Sequence, residues 1–249
     1  MIVWLYSLVS VFIVSLVSLI SILMFSVKEE YLKRALLYLV SFSAGGLFGD
    51  AFIHLIPESM ESNLGTHRAS LLIILGIAVS FLVERVLQWR HCHIPTTKNH
   101  PHSFAYMNLF GDAIHNFIDG LVIGASFLTS TSLGVATTLA VIFHEIPQEL
   151  GDFGVLLFGG FSKSKALLFN LFTALTAILG VFTALSLGVI AQGLVPFLIP
   201  FAAGNFIYIA GSDLIPELCK EESQIGKAVL ELIAFVLGAL VLFSLTIFE

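Results

Sequence analysis

Charge is what this 249-residue sequence has least of. Only 11% of its residues are Asp, Glu, Lys or Arg, against roughly 25% in soluble domains. With 57% hydrophobic residues and a mean hydropathy of +1.00, an ordinary soluble core of this length is excluded, and so is any sizeable extramembrane domain. Cysteine is scarce as well. Cys92 and Cys219 are the only two, which rules out a disulfide-stapled scaffold. No polar stretch is long enough to be a linker between domains. Period-two alternation is missing from the apolar runs, which argues against a transmembrane β-barrel.

What is present is apolar sequence in helix-length pieces. A spanning helix needs about 20 mostly apolar residues, and eight such runs lie near 2–27, 35–58, 69–89, 105–129, 133–159, 165–190, 194–216 and 226–248. They predict an all-α integral membrane protein, one domain of eight helices over 1–249, with the lipid bilayer as its partner. The first run lacks a basic leading segment and a small-residue cleavage site, so it reads as a span and not as a signal peptide. With the N-terminus outside, Lys28, Lys33, Arg34, Arg85, Arg90, Lys98, Lys163, Lys165, Lys220 and Lys227 all face the cytoplasm and only Arg68 lies outside. The positive-inside rule therefore places both termini outside or in a lumen. Both cysteines then face a reducing cytosol; the net charge of −6 says little about partners, and no nucleic-acid partner is expected. No sorting motif separates the cell membrane from an internal one such as the ER or Golgi.

Two stretches interrupt this apolar pattern: HNFIDGLVIG (115–124) in the fourth run and HEIPQELGDF (144–153) in the fifth. A charged residue at the bilayer centre costs at least a few kcal/mol, so such clustering points to function. At about 100° per residue, positions i, i+1 and i+4 share a helix face. Asp112, His115, Asn116 and Asp119 form one such face, and His144, Glu145, Gln148, Glu149 and Asp152 another. The short loop between the runs makes them antiparallel neighbours, with both clusters at the same midplane depth. Imidazole and carboxylate are ligands for Zn²⁺, Fe²⁺ and Mn²⁺, with amide oxygen a weaker helper. Pro147 cannot donate to the carbonyl of Phe143, which predicts a kink in the helix next to His144.

Further polar residues line up on either side. Asp50, His54 and Glu58 recur every fourth residue toward the outer end of the second run, after Gly45, Gly46 and Gly49, which permit close packing. Asp213 and Glu217 run to the inner end of the seventh. Together these are the polar path of an inward-moving cation. Glu84 and Arg85 read as an interfacial pair without chemistry. The second run ends HLIPES (54–59) and the seventh DLIPEL (213–218), in helices that the topology makes antiparallel, and inverted repeats of this kind are a transporter architecture. The longest loop, 90–104, offers His91, Cys92, His93, His100 and His102 for metal capture on the cytoplasmic side.

HNFIDG and HEIPQELGDF, with GDAFIHLIPES upstream and GNFIYIAGSDLIPEL downstream, resemble the ZIP family of divalent-metal transporters, in particular the branch whose fifth helix reads HEIPHELGDF. The resemblance covers all eight runs. It implies a 3+2+3 arrangement of eight helices, a homodimer, and movement of Zn²⁺ or a similar metal, Fe²⁺ and Mn²⁺ included, toward the cytosol. It also implies metal ligands His115, Asn116, Asp119, His144, Glu145 and Gln148. Gln148 departs from the His or Glu common at that position and supplies no bridging charge. The long histidine-rich ectodomain usual in the family is not expected here, since only Met1 precedes the first run.

Transport, with no enzymatic activity, is therefore the expected function. The competing class is an intramembrane zinc hydrolase, because HEIPQ is similar to HExxH, but its second histidine is replaced by Gln148. A metal-sensing bundle that binds without transporting is the other alternative.

Overall fold

A computed structural model describes residues 2–91, 102–220 and 225–245, and no strand occurs among them. α1 (Ile2–Val17) continues as a 3₁₀ stretch, Ser18–Ser26. α2 (Glu29–Gly49) runs through a π-helical segment, Asp50–Leu55, into α3 (Ile56–Glu61). Then come α4 (Thr66–His91), α5 (Ser103–Thr129), α6 (Thr131–Phe158), α7 (Lys163–Ala174) and α8 (Thr176–Leu187). α9 (Val189–Tyr208) passes through a second π-helical segment, Ile209–Leu214, into α10 (Ile215–Lys220), and α11 (Ile225–Leu245) ends the described chain.

Six candidate spans among the described residues are long and apolar enough to cross a membrane: Ile2–Met24, Ala35–Glu61, Thr66–Leu87, Lys163–Leu187, Val189–Lys220 and Ile225–Ser244. Each coincides with one of the expected runs. α5 and α6 are the other two long helices, of 27 and 28 residues, about 40 Å at 1.5 Å per residue. They fall outside the apolar set because they carry the buried polar side chains. The two helices set apart are those of the fourth and fifth runs, whose polar faces the sequence already marks.

Those two lie at the centre. α5 packs on α6, α8 and α9, and α6 also on α1 and α2, while α2 pairs with α11 and α4 with α9. The pairings obey one exchange: α1 with α7–α8, α2–α3 with α9–α10, α4 with α11, and α5 with α6. Under it α2 on α11 becomes α9 on α4, α1 on α6 becomes α8 on α5, and α2 on α6 becomes α9 on α5. Close backbone approach repeats in the same register. A Cβ on Gly45 would lie 1.9 Å from the carbonyl oxygen of Phe235 on α11, and one on Gly204 would lie 2.0 Å from that of Ile73 on α4. Only glycine fits at either contact.

The strings HLIPES and DLIPEL share backbone as well as letters. Both π-helical segments end at the Leu before Ile-Pro, and the N–H of Ile56 and of Ile215 donates five residues back, to Ala51 and Ala210. Pro57 and Pro216 cannot donate to the carbonyls of Ile53 and Ser212 and crowd them; a turn widened by one residue relieves that conflict. Proline alone does not produce the widening, since Pro196 and Pro200 sit inside uninterrupted α9. Pro147 behaves the same way: α6 is α-helical without a break from Thr131 to Phe158. The helix passes Pro147 without a π-helical turn, since proline's fixed φ is itself helical and only one hydrogen bond is lost.

The helix ends identify two poles. Lys163 Nζ donates to the carbonyls of Val27 (2.9 Å) and Met24 (3.3 Å), and the N–H of His102 donates to Gly159 O at 2.8 Å. The end of the α1 segment and the starts of α5 and α7 thus share one pole, here called the Gly159 pole. The turn at Ser130, whose Oγ caps α6 by accepting from the N–H of Leu133, marks the opposite one.

Candidate metal centre

α5 and α6 bring four expected ligands together. His115 and Asp119, one α-turn apart on α5, meet His144 and Glu145 of α6, and their donor atoms all lie within 4.8 Å of one another. None of the four is more than 7% exposed. His144 Nε2 is 3.0 Å from Asp119 Oδ2 and 3.9 Å from Glu145 Oε1; His115 Nε2 is 3.4 Å and 3.5 Å from the same two oxygens. A tetrahedral zinc shell with bonds of 2.0–2.1 Å has edges of about 3.3 Å, and the four separations bracket that value. His115 Nε2 and Glu145 Oε1 have no hydrogen-bond partner, an arrangement that native interiors avoid unless something else binds there. The residues present fit a divalent metal.

A row of side chains leads to this cluster from the Ser130 pole. His54 Nε2 is 3.8 Å from Glu58 Oε2, His54 Nδ1 is 3.0 Å from Asp50 Oδ1, and Asp50 Oδ2 lies 4.0 Å from His115 Nδ1. The His54 and His144 rings are 6.2 Å apart. A cavity of about 330 Å³ follows the same line, with Glu58, His54, Asp119 and His144 as its polar wall and Leu133, Val141 and Ile199 among its apolar ones. Carboxylate–histidine contacts of the Asp50–His115 kind orient metal-binding imidazoles. Phe206 of α9 packs against the His115 ring, centroids 4.9 Å apart, and limits its freedom further.

The remaining expected residues are placed differently. Asn116 points its Nδ2 at Asp112 Oδ1 (2.8 Å), leaving its own Oδ1 buried without a partner. Gln148 lines a separate cavity of about 10 Å³ with Phe42, Ser43, Leu47 and Leu242, and its Nε2 has no partner. Asp112, Glu149 and Asp152 are buried farther along the two helices toward the Gly159 pole. Glu217 pairs with Lys220 at 2.5 Å. Of the loop residues, His102 precedes α5 with its ring 5.6 Å from that of Phe104. Cys92, His93 and His100 lie outside the described residues, as does the His91 side chain. Cys219 is an exposed thiol.

Sequence reasoning missed several polar partners. Tyr208 OH donates to Glu84, and Asp213 interacts with the same carboxylate, so Glu84 joins the α9–α10 stripe, while Arg85 stacks over Phe81 at 5.2 Å. An acid inside an apolar run was the available signal. Asn108, Asn170 and Asn205, each at most 2% exposed, were also passed over. Asn108 was detectable, since it lies one turn before Asp112 on the same face.

Comparison with known proteins adds a family and several relatives. A profile described as ZIP Zinc transporter matches residues 1–105 and 100–246. Zinc transporter zipt-7.1 of Caenorhabditis briggsae is 31% identical over an alignment of 315 residues covering 99% of this chain and 80% of that protein. Zinc transporter ZIP13 of Pongo abelii is 32% identical over 268 residues, covering 97% of this chain and 79% of its own length. Zinc transporter ZIP4 of Mus musculus is 42% identical over 182 residues, 73% of this chain but 26% of the relative.

Proposed function

The chain belongs to the ZIP zinc transporter family, and on that premise we propose that it carries Zn²⁺ across a membrane toward the cytosol. The observation that carries this reading is the set of four buried donors, whose four histidine–carboxylate separations bracket the edge of a zinc tetrahedron, at the foot of a cavity lined by Glu58. The relatives are named transporters and not enzymes. HEIPQ has a neutral amide where a zinc hydrolase needs its second histidine, so hydrolysis is not proposed.

On this reading α5 and α6 cross the bilayer with the six apolar helices, giving eight spans in a 3+2+3 inverted repeat that forms one domain over 1–249. The pairwise exchange of helix contacts supports that arrangement. Lys28, Lys163, Lys165 and Lys220 at the Gly159 pole, with Arg68 near the other, support a cytoplasmic Gly159 pole and termini outside. His115, Asp119, His144 and Glu145 hold the ion; the unpartnered Asn116 Oδ1 is a further donor, and Gln148 would join only by turning away from the cavity it lines with α2 and α11. Asp50, His54 and Glu58 deliver it, and Asp112, Glu149, Asp152, Asp213 and Glu217 lead it away. Fe²⁺ and Mn²⁺ share the donor preferences that admit Zn²⁺ and are expected as further substrates. The family resemblance supports a homodimer, and loop 90–104 a role in metal capture.

Reconstitution into liposomes holding a metal-sensitive dye tests the proposal. Uptake of Zn²⁺ is expected to be abolished by His115→Ala and by His144→Ala. Unchanged uptake of Zn²⁺, Fe²⁺ and Mn²⁺ in both variants would refute the site.

A further inference from the structure

We propose that Asp112, Glu149 and Asp152, with the amide oxygen of Asn170, form a second cation site in which every donor is oxygen, one helical turn beyond the histidine-bearing cluster toward the Gly159 pole. The inference rests on the transport reading above but concerns a separate set of atoms. Along the α5–α6 seam the contacts step in opposite directions, as antiparallel helices require: Asp119 meets His144, His115 meets Glu145, and Asn108 Nδ2 donates to Asp152 Oδ1 at 3.0 Å. Asp112 and Glu149 fill the interval, and Asp112, Glu149 and Asp152 repel one another.

All three acids are at most 3% exposed. Asp112 Oδ2, both carboxylate oxygens of Glu149 and Asp152 Oδ2 meet no donor at hydrogen-bond geometry, the polar neighbours beside them being Thr173 at Asp112 and Asn170 at Glu149, and among the described residues no basic side chain is recorded against them. A second helix supplies an independent sign of a ligand. Asn170 of α7 is fully buried, and its Oδ1 also has no partner, while its Nδ2 donates to the Glu149 carbonyl at 3.1 Å. Ser21 Oγ donates to that same carbonyl at 3.2 Å. The Glu149 peptide is thus clamped from two sides, which fixes its side chain beside the Asn170 amide. Three buried carboxylates and an amide oxygen, with no basic side chain among them, call for positive charge, which a bound cation or protons would supply.

The chemistry differs from that of the first cluster. Oxygen-only donors suit harder divalent ions such as Mn²⁺ and hold Zn²⁺ less firmly than a site with two imidazoles. Among the described residues only the four-donor cluster draws its His, Asp and Glu atoms within 4.8 Å. Mutual repulsion spreads three carboxylates, and a cation between them draws them in. A tight imidazole site followed by a looser oxygen site lets an ion leave the first without passing through bare hydrocarbon.

Electron paramagnetic resonance of Mn²⁺ bound to the purified full chain tests this. Wild type is expected to bind two Mn²⁺ per chain, one of them showing coupling to imidazole nitrogen. Glu149→Gln/Asp152→Asn is expected to lose the nitrogen-free ion alone, and His115→Ala/His144→Ala the nitrogen-coupled one alone. Should the double acid variant not fold, Asp112→Asn, which preserves the oxygen that accepts from Asn116, is expected to weaken the nitrogen-free ion about tenfold. The second site is overturned if the acid variants retain every ion that wild type binds, if wild type binds a single ion and those positions take up protons only, or if the ion left in the histidine variant couples to nitrogen. Failure of the transport reading shows separately, as unimpaired liposome uptake by the histidine variant.

Discussion

The two arms that end in Leu-Ile-Pro-Glu have one backbone and two chemistries. Each passes through a π-helical segment ending at the same leucine, and each rests a glycine nine residues before its polar residue on the carbonyl of a neighbouring helix. Yet the polar residue is His54 in one arm and Asp213 in the other. His54 faces a cavity of about 330 Å³ and lies 6.2 Å from the His144 ring. Asp213 is 6% exposed and interacts with Glu84, Glu217 and Lys220. The comparison teaches that the helix geometry is a repeated device, whereas the side chains it presents make the two arms chemically unequal: an imidazole near the four-donor cluster in one, a buried carboxylate among charged neighbours in the other.

The most severe test of the repeat is steric. Gly45→Leu and Gly204→Leu are each expected to prevent recovery of folded protein, since the first added carbon falls about 2 Å from a backbone oxygen and backbone cannot give way as a side chain can. Size-exclusion profiles and melting of the two variants should fail alike; tolerance of one alone would mean that the arms are not equivalent. Next in size, His54→Asp makes the first arm resemble the second. It is expected to reduce Zn²⁺ uptake about tenfold and to favour Mn²⁺ in competition, because oxygen replaces imidazole. An unchanged Zn²⁺ preference would remove His54 from the path.

Smaller effects should follow from the prolines. Pro57→Ala and Pro216→Ala restore the missing N–H and are expected to slow uptake about threefold each with little loss of folded yield, read as initial rate against Tm; uneven losses would show that one arm carries the moving hinge. The smallest change expected is that of Tyr208→Phe, which removes the hydrogen bond to Glu84. Interhelical bonds in membranes are worth about 0.6 kcal/mol on average, so Tm should fall only slightly. A large loss of transport there would place Glu84 in the conducting path.

Much of the candidate metal centre was legible because helical spacing alone puts His115 with Asp119, and the shared depth of the two polar stretches puts them opposite His144 and Glu145. The partners that were missed arrive from other helices. Glu84 matters through Tyr208, more than a hundred positions away, and Asn170 through the Glu149 carbonyl; no periodicity within one run announces either. Pro147 shows a related limit. A proline removes one hydrogen bond wherever it stands, but whether the helix then widens depends on what surrounds it, and it does so at Pro57 and Pro216 and not at Pro147.

By itself the sequence determined the class of molecule, the apolar helices and the faces on which the polar residues lie, because hydropathy and a fixed turn per residue are properties of a single segment. Only the tertiary structure decided which of those faces meet, that four donors gather within 4.8 Å of one another while the three carboxylates beside them form no such group, and that Gln148 lines a cavity against α2 and α11. Those outcomes depend on how helices are rotated and seated against one another, and that is set by glycine contacts and packing between segments far apart in the chain.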